Sequence, residues 1–476
     1  MAKDDRSIPK GRLRRTAQMG SALGTEGARW AGTRAANLTR SEEEAQARLD
    51  QRHMEAAERM VDTLGTMKGA AMKIGQLASF IDTDFLPEEY RELYQDKLAD
   101  LRTSAPPMPW SKVVSVLEEE WEDPVEELFE DFEHEAAAAA SIGQVHRATL
   151  PDGRRVAVKI QYPGVAEALR ADMQNAGMIM RLAKAIAPGL DAKAAAEELK
   201  ERVLEELDYE YEAQNQRAFS RGYRGHPFIY VPDVITRLSR GRVLVTEWVD
   251  GVSFEELKER PQAERDRFAE IVFRFCFGSI YHLQHFNADA HPGNYLLMDD
   301  GKVAFLDFGM TKQLDKEQIE LEIAALEAVF VSDPERLRVA LHDLGFINNP
   351  KKVDAEKLME HVKVVGGWYM EDREVTIDSQ RVMDAIAAAD PRSEFFDLMR
   401  RENIPANELM GRRMEVGVLA VLGQLGATRN WYRIGREWWF GDEPATELGR
   451  EEWAYFESRG EKRVRKYSAR GREGGA

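Results

Sequence analysis

Asp289-Ala290-His291-Pro292-Gly293-Asn294, followed thirteen residues later by Asp307-Phe308-Gly309, decides the fold. Phosphoryl transfer needs divalent cations near the β- and γ-phosphates, and hard oxygen ligands hold magnesium best. It also needs a carboxylate to orient or deprotonate the nucleophile. Kinases do this with an Asp and an Asn five residues apart on a catalytic loop and with the Asp of a D-F-G turn. Here Asp289 and Asn294 are five apart, and the Asp-Phe-Gly closes the apolar run VAFLDF. Asp-Phe-Gly alone is weak evidence; the spaced Asp and Asn make the set specific.

Upstream, Val156-Ala157-Val158-Lys159 matches the V-A-I-K strand whose lysine pairs the α- and β-phosphates. Such a lysine needs a carboxylate partner, and the helical stretch from Glu205 to Asn215 offers several. The run from Val243 to Gly251 reads as a strand entering a hinge, where adenine meets backbone groups around Glu247 and Val249. Neither a G-x-G-x-x-G nor a Walker-type loop occurs. In its place stand Ala136, Ala137, Ala138, Ala139, Ala140 and Ser141, followed by Ile142 and Gly143. Alanine takes positive φ less freely than glycine, so this phosphate-covering loop is expected to be stiffer. Read alone, the alanines suggest a piece of helix.

The alanine-rich loop, Lys73-Ile-Gly-Gln76, the pair Glu206 and Asp208, and His-Pro-Gly-Asn together resemble the UbiB family of atypical kinase-like proteins. The likeness covers about residues 60–330, with the motifs in family order. It implies ATP or ADP with Mg2+, quinone or lipid metabolism, and a set of roles. Lys159 pairs with Glu212, Asn294 and Asp307 hold magnesium, and Asp289 is the catalytic carboxylate. Lys73 and Gln76 lie over the active site and engage Glu206 and Asp208. Independently, Lys73 and Gln76 are three apart and share one helical face. The same helix tolerates Gly65, Gly69 and Gly75, each costing about 1 kcal/mol, which suits close packing against another part of the protein. Three departures stand out: Asn287 where the family has His, Ala290 where it has Pro, and Gly143 where alanine is common.

A chain of 476 residues is too long for one ordinary core. The expected class is α+β, a two-lobed kinase-like fold with a helical N-terminal extension. Its segments are a basic helical lead-in (1–60), the extension (61–126), an N-lobe (127–250), a helical C-lobe (251–440) and a Trp-containing, basic tail (441–476). Towards the end of the chain, Trp431, Trp438, Trp439 and Trp453 read as a polar Trp-rich segment ahead of the basic tail. The single cysteine, Cys276, precludes an internal disulfide and reads as a buried hydrophobe. No apolar run approaches the ~18 residues of a membrane span, and the first residues are too charged for a signal peptide, so the expected location is cytoplasmic.

Net charge is −18, yet residues 1–40 carry nine Lys/Arg against three acids and residues 459–472 seven against one. The acidic body argues against a nucleic-acid partner. The basic ends suit peripheral contact with an anionic membrane, at roughly 1 kcal/mol per basic residue near the surface. The oligomeric state is not legible in the sequence. The leading activity is ATP hydrolysis, or phosphorylation of a small or lipid-like molecule. A protein Ser/Thr kinase is a rival, disfavoured because no A-P-E follows and only about seven residues separate Gly309 from the next helical stretch. A nucleotide-sensing scaffold without turnover is another, disfavoured by intact Lys159, Asp289, Asn294 and Asp307.

Overall fold

A computed structural model describes residues 108–140, 142–173, 204–205, 207–378, 380–382 and 408–461, with isolated positions at 197, 200, 395 and 398. The expected extension with Lys73 and Gln76, and the positions Ser141 and Glu206, lie outside the described residues, as does most of each basic end. The described chain divides into two compact units. One comprises residues 108–151 and 158–173; the other comprises residues 152–157 and everything described from 197 onward.

The first unit opens with α1 (Trp110–Trp121), which buries Val113, Val116, Leu117 and Trp121 at helical spacing and ends on Glu122 in the left-handed region. After α2 (Val125–Leu128) come β1 (Asp131–Phe132), β2 (Ala138–Ala140), β3 (Gly143–Thr149) and β4 (Arg155–Gln161), then α3 (Val165–Met173). The β3–β4 hairpin turns at Pro151-Asp152-Gly153, as the sequence leads one to expect. β1 and β2 both pair antiparallel with β3. The alanines are therefore strand, not helix: Ala138 stands opposite Val145 and Ala140 opposite Gly143. A Cβ at Gly143 would lie 2.1 Å from the Ile160 carbonyl oxygen, so this chain needs glycine where its relatives in motif often carry alanine.

The second unit contains α4 (Tyr209–Tyr223), β5 (Ile229–Tyr230), β6 (Val243–Glu247), α5 (Phe254–Lys258) and α6 (Gln262–Phe273), which runs into a π-helical turn, Arg274–Gly278. Then follow α7 (Ser279–Leu283), β7 (His285–Asn287), β8 (Tyr295–Leu297), β9 (Val303–Phe305) and β10 (Thr311–Gln313). The helices α8 (Lys316–Phe330), α9 (Pro334–Asp343) and α10 (Ala355–Gly366) come next. β11 (Val375–Thr376), α11 (Leu409–Leu425), β12 (Thr428–Arg429), α12 (Trp431–Phe440) and α13 (Glu447–Ser458) complete it. α4 and β6, expected in the N-lobe, group with this larger unit. β5, β9 and β8 form one small sheet, and β10 pairs antiparallel with β7.

The Trp-rich ending is core rather than a polar surface segment. Trp431, Trp438 and Trp439 are all but fully buried, with Leu448 and Phe456 of α13 in the same apolar cluster. Their indole N–H groups are satisfied inside it: Trp431 donates to Val375 O (3.1 Å), Trp438 to Glu452 (3.1 Å) and Trp439 to Tyr281 (2.8 Å). Polar neighbours in the sequence conceal this because they occupy the opposite face of a short amphipathic helix. Cys276 is buried and free, its thiol pushed up to about 12 by burial.

Arg274 joins these helices. Its side chain is wholly buried, and all five of its N–H donors are used: to Glu270 (3.0 Å), Glu437 (2.9 and 3.1 Å), Glu452 (2.8 Å) and Thr446 (3.0 Å). Burial opposes the charge, but three carboxylates keep the guanidinium protonated well above its ordinary value. Removing it would strand those carboxylates in an apolar interior. Arg274→Ala is expected to lower the unfolding free energy by about 3–5 kcal/mol in urea titration; a loss below about 1 kcal/mol would show that the node contributes little.

Candidate functional site

β7 and β8 are joined by the segment that carries the signature. Its last residues, Pro292–Asn294, form a 3-10 turn in which His291 Nδ1 accepts from Gly293 N (3.1 Å). The strand β9 then delivers Asp307 beside it, because Leu306 N donates to Asn294 O (3.0 Å). Asp289 and Asn294 meet directly: the Asn294 amide donates to Asp289 Oδ2 (3.1 Å).

Asn287 locks these segments together. Its amide nitrogen donates to the Asp307 carbonyl (2.7 Å), and its side-chain oxygen accepts from Asp289 N (2.8 Å). The residue where histidine is usual thus spans both halves of the site. Ala290, in place of proline, is buried.

At the D-F-G turn, Asp307 Oδ1 accepts from Gly309 N (3.0 Å) and Phe308 is buried against Phe219 and Phe275. Asn215 Nδ2 donates to Phe308 O (3.4 Å). Glu212, 1% exposed on α4, reaches this turn: a Cβ on Gly309 would stand 3.3 Å from Asp307 Oδ1 and 3.5 Å from Glu212 Oε2. Two carboxylates so flank one glycine. α8 begins at Lys316, so only a short segment, half of it β10, follows the turn.

Sequence reasoning missed Arg413. It projects from α11, 124 residues beyond Asp289, and its Nη2 donates to Asp289 Oδ1 (2.6 Å) with its side chain 8% exposed. Both Asp289 oxygens are consequently held, one by Arg413 and one by Asn294. The only signal in the sequence is the pair Arg412-Arg413 inside a mostly apolar helix.

Other expected site residues take different places. Lys159 is half-buried on β4, and Ala137 leads into β2, both in the first unit. The Glu247 carboxylate is engaged locally, accepting from Tyr230 OH (2.8 Å) and Asp233 N (2.9 Å), and Val249 follows β6 half-buried. Asp208 caps α4, accepting from Glu210 N (3.0 Å) and Tyr211 N (3.4 Å). Among the described residues, no group of three or more His, Cys, Asp or Glu side chains forms a metal site, and no helix is long and apolar enough to cross a membrane.

The model of the ABC1 atypical kinase-like domain matches residues 100–341. The chain is 33% identical over 316 residues to the atypical kinase COQ8B, mitochondrial, of Rattus norvegicus, covering 65% of this chain and 58% of that protein. It is 29% identical over 361 residues to the atypical kinase coq-8, mitochondrial, of Caenorhabditis elegans, covering 72% and 47%. The chain thus spans about half the length of the curated relatives it matches. A solved complex of Rv3197 with erythromycin, from Mycobacterium tuberculosis, superposes with a TM-score of 0.59 at 31% identity. That match covers 84% of this chain and 98% of the other.

The Asn287 bridge is testable without any ligand. Asn287→Ala deletes two buried hydrogen bonds and leaves the Asp307 carbonyl and the Asp289 amide without that partner, so thermal unfolding should show a loss of about 1–3 kcal/mol. An unchanged melting curve would mean that the loop and the turn are held by other contacts.

Proposed function

The chain belongs to the ABC1 atypical kinase-like family, the UbiB family to which its motifs point, and on that premise we propose that it is a magnesium-dependent ATP-binding protein. Its reaction in this reading is ATP hydrolysis, or transfer of the γ-phosphoryl to a small or lipid-like molecule of quinone or lipid metabolism. The observation that carries the reading is the joined set Asp289, Asn294 and Asp307, bonded to one another or through Asn287.

The donors suit a hard cation. Asn294 spends its amide nitrogen on Asp289, which directs its carbonyl oxygen elsewhere, and Asp307 offers a carboxylate on the adjoining segment. Magnesium held there would neutralise charge on the phosphates. Lys159 pairs with Glu212 and meets the α- and β-phosphates in this reading. The strand Ala138–Ala140, with Ala137 before it and Ser141 after it, covers the phosphates. Backbone groups near Glu247 and Val249 receive adenine, since the Glu247 carboxylate is already engaged. Asp289, fixed by Arg413, orients the attacking hydroxyl or water. The short segment between Gly309 and α8 leaves little room for docking a peptide, which favours a small acceptor or water over a protein substrate.

Lys73 and Gln76 close the cleft over Glu206 and Asp208 in this scheme. The basic ends give peripheral contact with an anionic membrane.

Asp307→Asn removes a ligand charge but keeps the shape. Stabilisation by Mg-ATP in a thermal-shift assay and phosphate release should both fall to background, while the apoprotein melts as the parent does. Parent-like responses in both assays would sink the metal assignment. Lys73→Ala should change nucleotide affinity or turnover at least several-fold; values matching the parent in both would reduce Lys73 to a surface lysine.

A further inference from the structure

The second unit has a cleft of about 600 Å³ that the nucleotide scheme does not use. One wall is α4, from which Arg217 and Arg221 line it four residues apart. The other wall is β10 with the end of β7, bringing Lys312, the Thr311 hydroxyl and the His285 ring. Arg221 lies nine residues beyond Glu212, about 2.5 helical turns, which puts it on the opposite side of α4 from Glu212.

Three cations and one carboxylate, Glu205, line this cleft in a protein of net charge −18. Like charges four apart on a helix repel, and an anion between them relieves the repulsion. Lys312 shares its field with the Glu322 and Glu408 carboxylates, so the guanidinium forks of Arg217 and Arg221, which match phosphate oxygens, are the main attraction for a phosphate dianion. His285 Nε2 is bonded to Thr311 Oγ1 (2.9 Å), and burial pushes the ring down to about 4. The cleft's charge therefore comes from arginine and lysine and is constant across neutral pH. In protein kinases, arginines receive a phosphate carried on the activation segment. Here α8 follows the turn so closely that the chain has little segment of its own to fill such a place.

We propose that this cleft binds a phosphate-bearing anion from outside the chain. Such a ligand braces the Asp-Phe-Gly turn. Thr311 stands opposite Asn287 in the β10–β7 register, Asn287 holds the Asp307 carbonyl, and Asn215 of the α4 wall holds that of Phe308.

The test uses the full chain without nucleotide, in EDTA at constant chloride. Inorganic phosphate is titrated calorimetrically, and vesicles of phosphatidylcholine with or without phosphatidic acid are tested by co-sedimentation. Arg217→Gln with Arg221→Gln on one wall, and Lys312→Gln on the other, are each expected to weaken binding at least tenfold while the circular dichroism melt is kept. Should the double variant fail to fold, Lys312→Gln alone carries the test. Loss of free phosphate binding identifies a soluble ligand, and loss of phosphatidic acid binding alone a lipid headgroup; either supports the site. The proposal is overturned if the parent binds neither probe, or if the folded variants bind both as the parent does. Mg-ATP binding is measured separately: its absence in a parent that binds phosphate removes the nucleotide reading and leaves this site standing.

Discussion

A single guanidinium in an apolar interior sets the terms for the larger unit. Arg274 sits where α6 gives way to a π-helical turn, and the widened turn directs the side chain inward. Glu270 comes from α6 itself, Glu437 from α12 and Glu452 from α13, so the charge network ties α6 to two consecutive helices far downstream in sequence. Two features make the arrangement compact. The Arg274 guanidinium lies 5.8 Å from the Trp438 ring, and Gly278 leaves room for that ring, since a Cβ there would approach it to 3.1 Å. Hydrophobic burial supplies the attraction, and the charges fix which helices meet.

The site inherits its rigidity from this core. α7 and β7 follow the π-helical turn directly, so the loop bearing Asp289 starts from a fixed point. α11 packs in the same apolar cluster through Met414, Val418 and Leu422, which places Arg413 against Asp289. The Phe308 ring is buried in that cluster as well. The Asp289 carboxylate, the D-F-G turn and the distant Arg413 are thus three edges of one packed body. This is how a site gains the fixed geometry that positioning chemistry requires.

Much of this was legible because the chemistry is local. Asp289, Asn294 and Asp307 announce themselves by spacing, and VAVK and VAFLDF by alternation and apolar content. The fold class followed from those motifs and from a β-rich stretch preceding a helical one. What stayed hidden was set by contacts across long separations. Nothing near Arg413 says that it meets Asp289, and the tryptophans after 430 look polar in sequence because their neighbours are charged. The alanine run shows why a segment cannot be read alone: alanine favours helix intrinsically, but pairing with β3 overrides a preference worth tenths of a kcal/mol per residue. Asp208 carried two compatible meanings, of which the local one, a helix cap, is visible in the structure.

The amide of Asn287 also sets how the site responds to acidity. A histidine in its place would exchange a proton near neutrality, and its hydrogen bonds would change character as it did so. Asparagine has neither a proton to gain nor one to lose across that range. The tie between the carboxylate loop and the D-F-G turn is therefore the same in an acidic compartment as in an alkaline one. Any pH response of the protein must arise from other groups, because this joint does not titrate.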